Sequence, residues 1–123
     1  MTLNSPEQGD ELVLLAHGGG GTMSSDMLQQ VIRPRFENPV LAGLDDAAVV
    51  DWPAAEVVMS TDSYVVDPLF FPGGSIGSLA ACGTINDLVM QGAEPIYLSL
   101  SLILEEGLPI EDLSRILDEM AAV

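Results

Sequence analysis

Three short polar stretches carry the residue types that bind cations. Asp45 and Asp46 stand directly before the apolar run Ala47-Ala48-Val49-Val50, Asp62 lies within Thr61-Asp62-Ser63, and Asp87 follows Asn86. A fold that gathers these acids builds a cluster of hard oxygen donors, the chemistry of Mg²⁺ and Ca²⁺ sites. A fold that leaves them apart makes ordinary solvated turns. A fourth stretch, His17-Gly18-Gly19-Gly20-Gly21-Thr22, connects an apolar segment to a helical one. Successive glycine N–H groups can wrap an anion at a helix start; the alternative is a flexible turn. It is not a Walker A loop, because no Gly-Lys-Ser/Thr follows.

The charge balance bears on which ligands these stretches can take. Nineteen acids face three basic residues, Arg33, Arg35 and Arg115, and the net charge is −16. Binding to nucleic acid or an anionic membrane surface is excluded as an expectation, because both rest on clustered Lys and Arg. A phosphate ligand must then be held by backbone N–H groups and by a divalent cation bridging it to carboxylates. The single cysteine, Cys82, permits no intrachain disulfide and points to a reducing, cytoplasmic setting. The amino terminus has neither the basic nor the apolar region of a secretory signal, and no apolar run reaches the ~18 residues of a membrane span.

At 123 residues with 48% hydrophobic content, the chain is one domain's worth, enough to bury roughly 65% of its unfolded surface. Residues 1–11 read as a flexible lead-in and 12–16 as a buried strand ending at His17. A helix is expected over 24–32, closed by Pro34, with a connector over 35–42; Arg33 and Arg35, near the helix C-terminus, pair with the helix end or a surface acid. Strands follow over 47–50 and 57–61, joined by a Trp52-Pro53 turn, with Trp52 a packing residue. Phe70 and Phe71 anchor a loop that carries Pro72, Gly73 and Gly74 toward the helix expected over 75–91.

That helix has two candidate faces. Gly77, Ala80, Thr84 and Asp87 share a slim one, suited to close approach by another backbone or by a ligand. Leu79, Cys82, Ile85 and Val89 form an apolar stripe expected to face the core, which makes Cys82 a small buried hydrophobe. Residues 96–104 alternate Leu and Ser at strand period, suggesting a strand that is solvent-facing or packed on a partner's sheet. Pro109 opens a last helix with Glu111 and Asp112 in its first turn and Ile110, Leu113, Ile116, Leu117 and Met120 on one face. It reaches Val123 without a stop signal, so a cut within a helix and a following second domain are expected.

The string from Ser60 to Pro109, STDSYVVDPLFFPGGSIGSLAACGTINDLVMQGAEPIYLSLSLILEEGLP, together with LAHGGGG and DDAAVV, closely resembles the HypE family of hydrogenase maturation proteins. That family lies in the superfamily of aminoimidazole ribonucleotide synthetase, selenophosphate synthetase and thiamine-monophosphate kinase. The resemblance implies an α/β fold like the N-terminal domain of aminoimidazole ribonucleotide synthetase, a mixed sheet contributing half of a dimeric β-barrel and flanked by helices. Residues 12–123 would be the ATP-binding and dimerising domain, without the C-terminal domain and its terminal cysteine.

The implied chemistry is ATP-dependent dehydration of a carbamoyl group on that cysteine to a thiocyanate, the source of the cyanide ligand of NiFe hydrogenases. With ATP and Mg²⁺ as cofactors, the resemblance carries Asp45, Asp46, Asp62 and Asp87 over as Mg²⁺ ligands and Asn86 as a phosphate contact. His17, Gly18, Gly19, Gly20, Gly21, Gly73 and Gly74 fall in the nucleotide-side loops. It also implies a homodimer and, as partners, a carbamoyl donor and an iron-carrying scaffold. Two positions depart from the family: the glycine loop reads HGGGG where HGSGG is common, and Ser78 stands where some members carry Lys. No residue here replaces the missing nucleophile, so this stretch alone is expected to be inactive. Kept beside this are a non-catalytic dimerisation or assembly module and a related ATP-dependent enzyme of the same superfamily.

Overall fold

The computed structural model describes residues 11–52 and 56–123. Its core is built around the last helix, α3 (Ile110–Ala121), because that segment has the cleanest helical periodicity in the chain. Leu113, Ile116, Leu117 and Met120 recur at spacings of three, one and three and are all buried, as their shared face requires. Leu113 and Leu117 pack with Val13, and Val31, Ile32, Phe36, Leu104 and Leu108 close over them from outside. The acids Glu111 and Asp112 sit in the first turn of α3, where the helix dipole favours them.

The amino-terminal segment is fastened to α3's approach through its backbone. Val13 N–H donates to Leu108 O at 2.7 Å, Gly107 N–H to Val13 O at 2.8 Å and Ile110 N–H to Glu11 O at 2.7 Å. The strand expected over 12–16 is thereby shortened to one antiparallel bridge, Leu12 to Pro109, and the chain coils into a 3-10 turn, Leu15–Gly18. Helix α1 (Thr22–Met27) starts earlier than expected and runs on as a π-turn, Leu28–Ile32. A 3-10 turn, Arg33–Arg35, ends it at Pro34. Arg35 then ties this arm to α3: its Nε lies 2.7 Å from Asp118 Oδ1 and donates to Ser114 O at 3.1 Å, while Nη1 donates to Val31 O. The lead-in lies outside the described residues except for Glu11, as does Pro53 of the Trp52-Pro53 turn. Trp52 packs on Tyr97, ring centroids 6.5 Å apart.

Phe70–Phe71 (β1) and Gly74–Ser75 (β2) form an antiparallel hairpin, Phe70 opposite Ser75 and Phe71 opposite Gly74. Pro72 and Gly73 make its turn; Gly73 has φ +97°, which a residue with a side chain rarely adopts. The hairpin leads directly into α2 (Ile76–Met90). Ser75, fully buried, caps that helix: its Oγ accepts from Gly77 N–H at 3.2 Å, and Ser78 Oγ accepts from Ser75 N–H at 2.9 Å. This reciprocal pair satisfies donors that a buried helix start would otherwise leave orphaned.

Helix α2 meets α3 at Gly77 and Ala81, which are buried there; of the expected slim face only Gly77 is buried. Gly77 has Ile116's backbone against it so closely that a Cβ would stand 3.0 Å from the Ile116 carbonyl carbon. The apolar stripe expected to face the core is turned outward instead. Leu79, Cys82 and Val89 are exposed, because the space against α3 admits only small residues and the bulky stripe falls on the opposite side of the helix.

Mixed helices and a small antiparallel sheet are thus what the described residues show. Residues 47–50, 57–61 and 96–104 form no ladder. Their most exposed β-branched side chains stand in solvent, Val49 91% exposed and Ile103 100%. A strand is completed only by a neighbour that takes up its N–H and C=O groups, and the described residues supply none. Among them, no helix is long and apolar enough to cross a membrane.

Candidate functional site

The structure brings two of the acids together. Asp87 sits in the last turn of α2, where exposed carbonyls make the field negative and a carboxylate is unfavourable unless a cation offsets it. Asp62 arrives from the segment after Ser60. The Ser60 hydroxyl lies 3.3 Å from Asp62 Oδ2 and 3.3 Å from Asp87 Oδ2, able to donate to either. Two carboxylates thus flank one hydroxyl, and Ser60 and Asp87 line an open groove of about 380 Å³ together with Val58, Met59, Met90 and Gln91. The donor set is oxygen only and all of it is solvent-reachable. That fits Mg²⁺, which keeps several waters and takes one or two carboxylates together with phosphate oxygens.

Tyr64 holds the same segment against α2: its hydroxyl is 3.5 Å from Thr84 Oγ1. Ser60 and Tyr64 were not singled out as site residues by sequence reasoning. The string Ser60-Thr61-Asp62-Ser63-Tyr64 offers the signal, a hydroxyl two residues from the acid and an aromatic two residues beyond it.

The other candidate residues are placed apart from this pair. Asp45 and Asp46 follow the 3-10 turn Leu41–Gly43 and a left-handed Leu44 (φ +50°), and both are exposed. Asp45 folds back over Gly43, its Oδ2 being 2.7 Å from where a Cβ of that glycine would stand. Among the described residues no three His, Cys, Asp or Glu side chains converge. Asn86 is exposed on α2 beside Asp87.

The glycine loop uses part of its hydrogen-bonding capacity internally. Gly19 N–H donates to Ala16 O at 3.2 Å and Gly20 N–H to Ser24 Oγ at 2.9 Å, while Ser24 Oγ donates to His17 O at 2.5 Å. His17 Nδ1 accepts from Leu14 N–H at 2.9 Å. Gly73 and Gly74 line a second open groove, of about 440 Å³, with Phe71, Ser78, Arg115 and Glu119. There Arg115 lies 4.1 Å over the Phe70 ring and 3.3 Å from Glu119 Oε1, and Glu119 Oε2 is buried without a hydrogen-bond partner among the described residues.

Residues 44–123 match the family described as AIR synthase related protein, N-terminal domain. The chain is 49% identical over 108 residues to carbamoyl dehydratase HypE of Rhizobium leguminosarum bv. viciae, covering 88% of this chain and 31% of that protein. It is 49% identical over 116 residues to carbamoyl dehydratase HypE of Escherichia coli (strain K12), covering 89% and 34%. A crystal structure of hydrogenase maturation protein HypE in complex with ATP superposes with a TM-score of 0.85 at 49% identity, over 89% of this chain and 32% of that one. The chain thus spans about a third of the length of the curated relatives it matches.

Proposed function

Because the chain belongs to the AIR synthase related proteins through their N-terminal domain, we propose that it is the ATP-binding part of a HypE-type carbamoyl dehydratase. In that role it serves the conversion of a cysteine-bound carbamoyl group to a thiocyanate, the cyanide source for NiFe hydrogenase maturation, in the cytoplasm. The observation that carries the reading is the approach of Asp62 and Asp87 across Ser60 at the C-terminal end of α2. The HypE relative of similar structure is described in complex with ATP, which supports a nucleotide as the ligand.

In this reading Asp62 and Asp87 hold Mg²⁺, and Asn86, next to them, reaches a phosphate oxygen. The bound ion would screen the carboxylates from the phosphates and make the terminal phosphoryl group more electrophilic. The chain's own part is binding and orientation: the carboxylates fix the ion, and the loops at His17–Gly21 and Gly73–Gly74 border the nucleotide. Asp45 and Asp46 join the ion once residues 47–50 are paired in an assembled sheet. Heat in a calorimetric titration with Mg-ATP is expected for the chain and none for Asp87→Ala. Flat traces from both would overturn nucleotide binding by this part of the protein.

The second reading, an assembly module, is favoured by the unpaired segments and their exposed apolar side chains. We infer that a second copy takes up residues 47–50, 57–61 and 96–104 as strands of a shared barrel. Other maturation proteins, a carbamoyl donor and an iron-carrying scaffold, then dock on the dimer. Sedimentation at micromolar concentration is expected to show a dimer, and a strictly monomeric species refutes the shared barrel.

A further inference from the structure

Two contacts tie the Asp62 segment to α2, and they lie four residues apart on both partners. Ser60 meets Asp87, and Tyr64 meets the Gly83–Thr84 step. Gly83 and Asp87, at i and i+4, share one face of α2. The Tyr64 ring is seated on that face at Gly83. A Cβ at Gly83 would overlap the Tyr64 hydroxyl and stand 2.8 Å from Cζ and 3.0 Å from Cε1. Only a residue without a side chain leaves room for the ring. A glycine in the middle of a helix is otherwise unfavourable compared with alanine, so its presence here is accounted for by the space it leaves.

We propose that Tyr64, seated on Gly83, is a positioning residue that sets the distance between the Asp62 segment and Asp87, and with it the spacing of the two carboxylates. Neither residue touches the ligand. The ring acts as a peg and the glycine as its seat; filling the seat pushes the whole segment off the helix and carries Ser60 and Asp62 away from Asp87. As far as it concerns the ion, the inference rests on the reading of Asp62 and Asp87 as Mg²⁺ ligands. The spacing itself does not.

The experiment separates the two. In the full chain with Cys82→Ser, the changes Ser60→Cys and Asp87→Cys put thiols on the two side chains whose hydroxyl and carboxylate oxygens now lie 3.3 Å apart. Their oxidation to a disulfide reports the approach without any nucleotide. Adding Gly83→Ala is expected to slow cross-linking by about tenfold, as an overpacked contact displaces its neighbours, while far-UV circular dichroism shows helix content kept, since alanine favours the helix. Tyr64→Leu is expected to slow it similarly, and the two changes together no more than either alone, because both act through one contact.

In parallel, binding of Mn²⁺ with ATP is followed by paramagnetic resonance in the chain with Ser60 and Asp87 intact. It is expected to weaken about tenfold on Gly83→Ala, matching the loss of approach. Unchanged cross-linking in Gly83→Ala overturns the proposal whatever the metal does. Slowed cross-linking in a chain that never binds Mn²⁺ with ATP supports the positioning role and refutes the ion-binding reading alone.

Discussion

Replacing Gly77 by valine is expected to leave little folded protein. Gly77 is buried in the first turn of α2, where that helix crosses α3, and the groups it faces cannot yield. A Cβ there would collide with the Ile116 carbonyl oxygen, 3.0 Å from the carbonyl carbon and 3.1 Å from Ile116 Cγ2. Ile116 lies in the middle of α3, so moving its carbonyl means moving the helix that carries Leu113 and Leu117. Overpacking a core site by a methyl group or two costs about 1–3 kcal/mol, and here the obstacle is backbone rather than a rotatable side chain. We therefore expect Gly77→Ala to lose about 3 kcal/mol and Gly77→Val more, against a total of ~5–15 kcal/mol for a domain of this kind. Urea unfolding followed by circular dichroism measures it. Gly18→Ala, where nothing lies within 4 Å, is the comparison and should stay within about 0.5 kcal/mol of the parent. A Gly77→Val chain as stable as the parent would mean that α2 and α3 do not pack as described.

The same glycine shows what the sequence could and could not disclose. Helix α3 was legible because its burial is one-sided: the apolar positions recur at helical spacing, the acids fall in the first turn, and one face meets the core. The extent of α2 was legible too, but not its facing. Leu79, Cys82, Ile85 and Val89 look like a core stripe by hydrophobicity alone, yet the helix–helix contact is made by Gly77 and Ala81. Two helices approach most closely where side chains are smallest, and hydrophobic periodicity does not register that. For residues 96–104 the Leu-Ser alternation marks strand character, but whether a ladder forms depends on a neighbour, which no local pattern specifies. Leu102 and Leu104 still reach the core, whereas Leu98 and Leu100 are exposed like the serines beside them.

The site was legible as chemistry and not as geometry. Residue types alone marked Asp45, Asp46, Asp62 and Asp87 as a possible oxygen cage. Only the fold decides that Asp62 and Asp87 meet across Ser60 while Asp45 turns back over Gly43. The turn containing the left-handed Leu44 directs Asp45 back over Gly43, and turn geometry of this kind has no periodic signature to read.

If one ion bridges Asp62 and Asp87, their neutralisation must be non-additive. Losing a residue that merely orients a metal ligand weakens binding about 10–100-fold, so losing a ligand itself should weaken Mg-ATP by about 100-fold, or ~2.7 kcal/mol. Asp62→Asn and Asp87→Asn keep the side-chain shape and remove the charge. Each alone should give that loss in calorimetry. The double variant should fall well short of the ~10⁴-fold product, because once either carboxylate is gone the ion is already poorly held. Full additivity would place the two acids at separate sites and sink the shared-ion reading.

A second measurement on the same chains guards against a trivial cause. Asp87 lies in the last turn of α2, where its charge opposes the helix dipole by about 0.3–1 kcal/mol. Asp87→Asn should therefore raise the melting temperature of the ligand-free chain slightly while it weakens Mg-ATP binding about 100-fold. A carboxylate kept where it weakens its own helix is explained by a cation that reverses the sign of that interaction. An Asp87→Asn chain that binds poorly and also melts lower would instead assign the residue a structural part in holding Ser60 to α2.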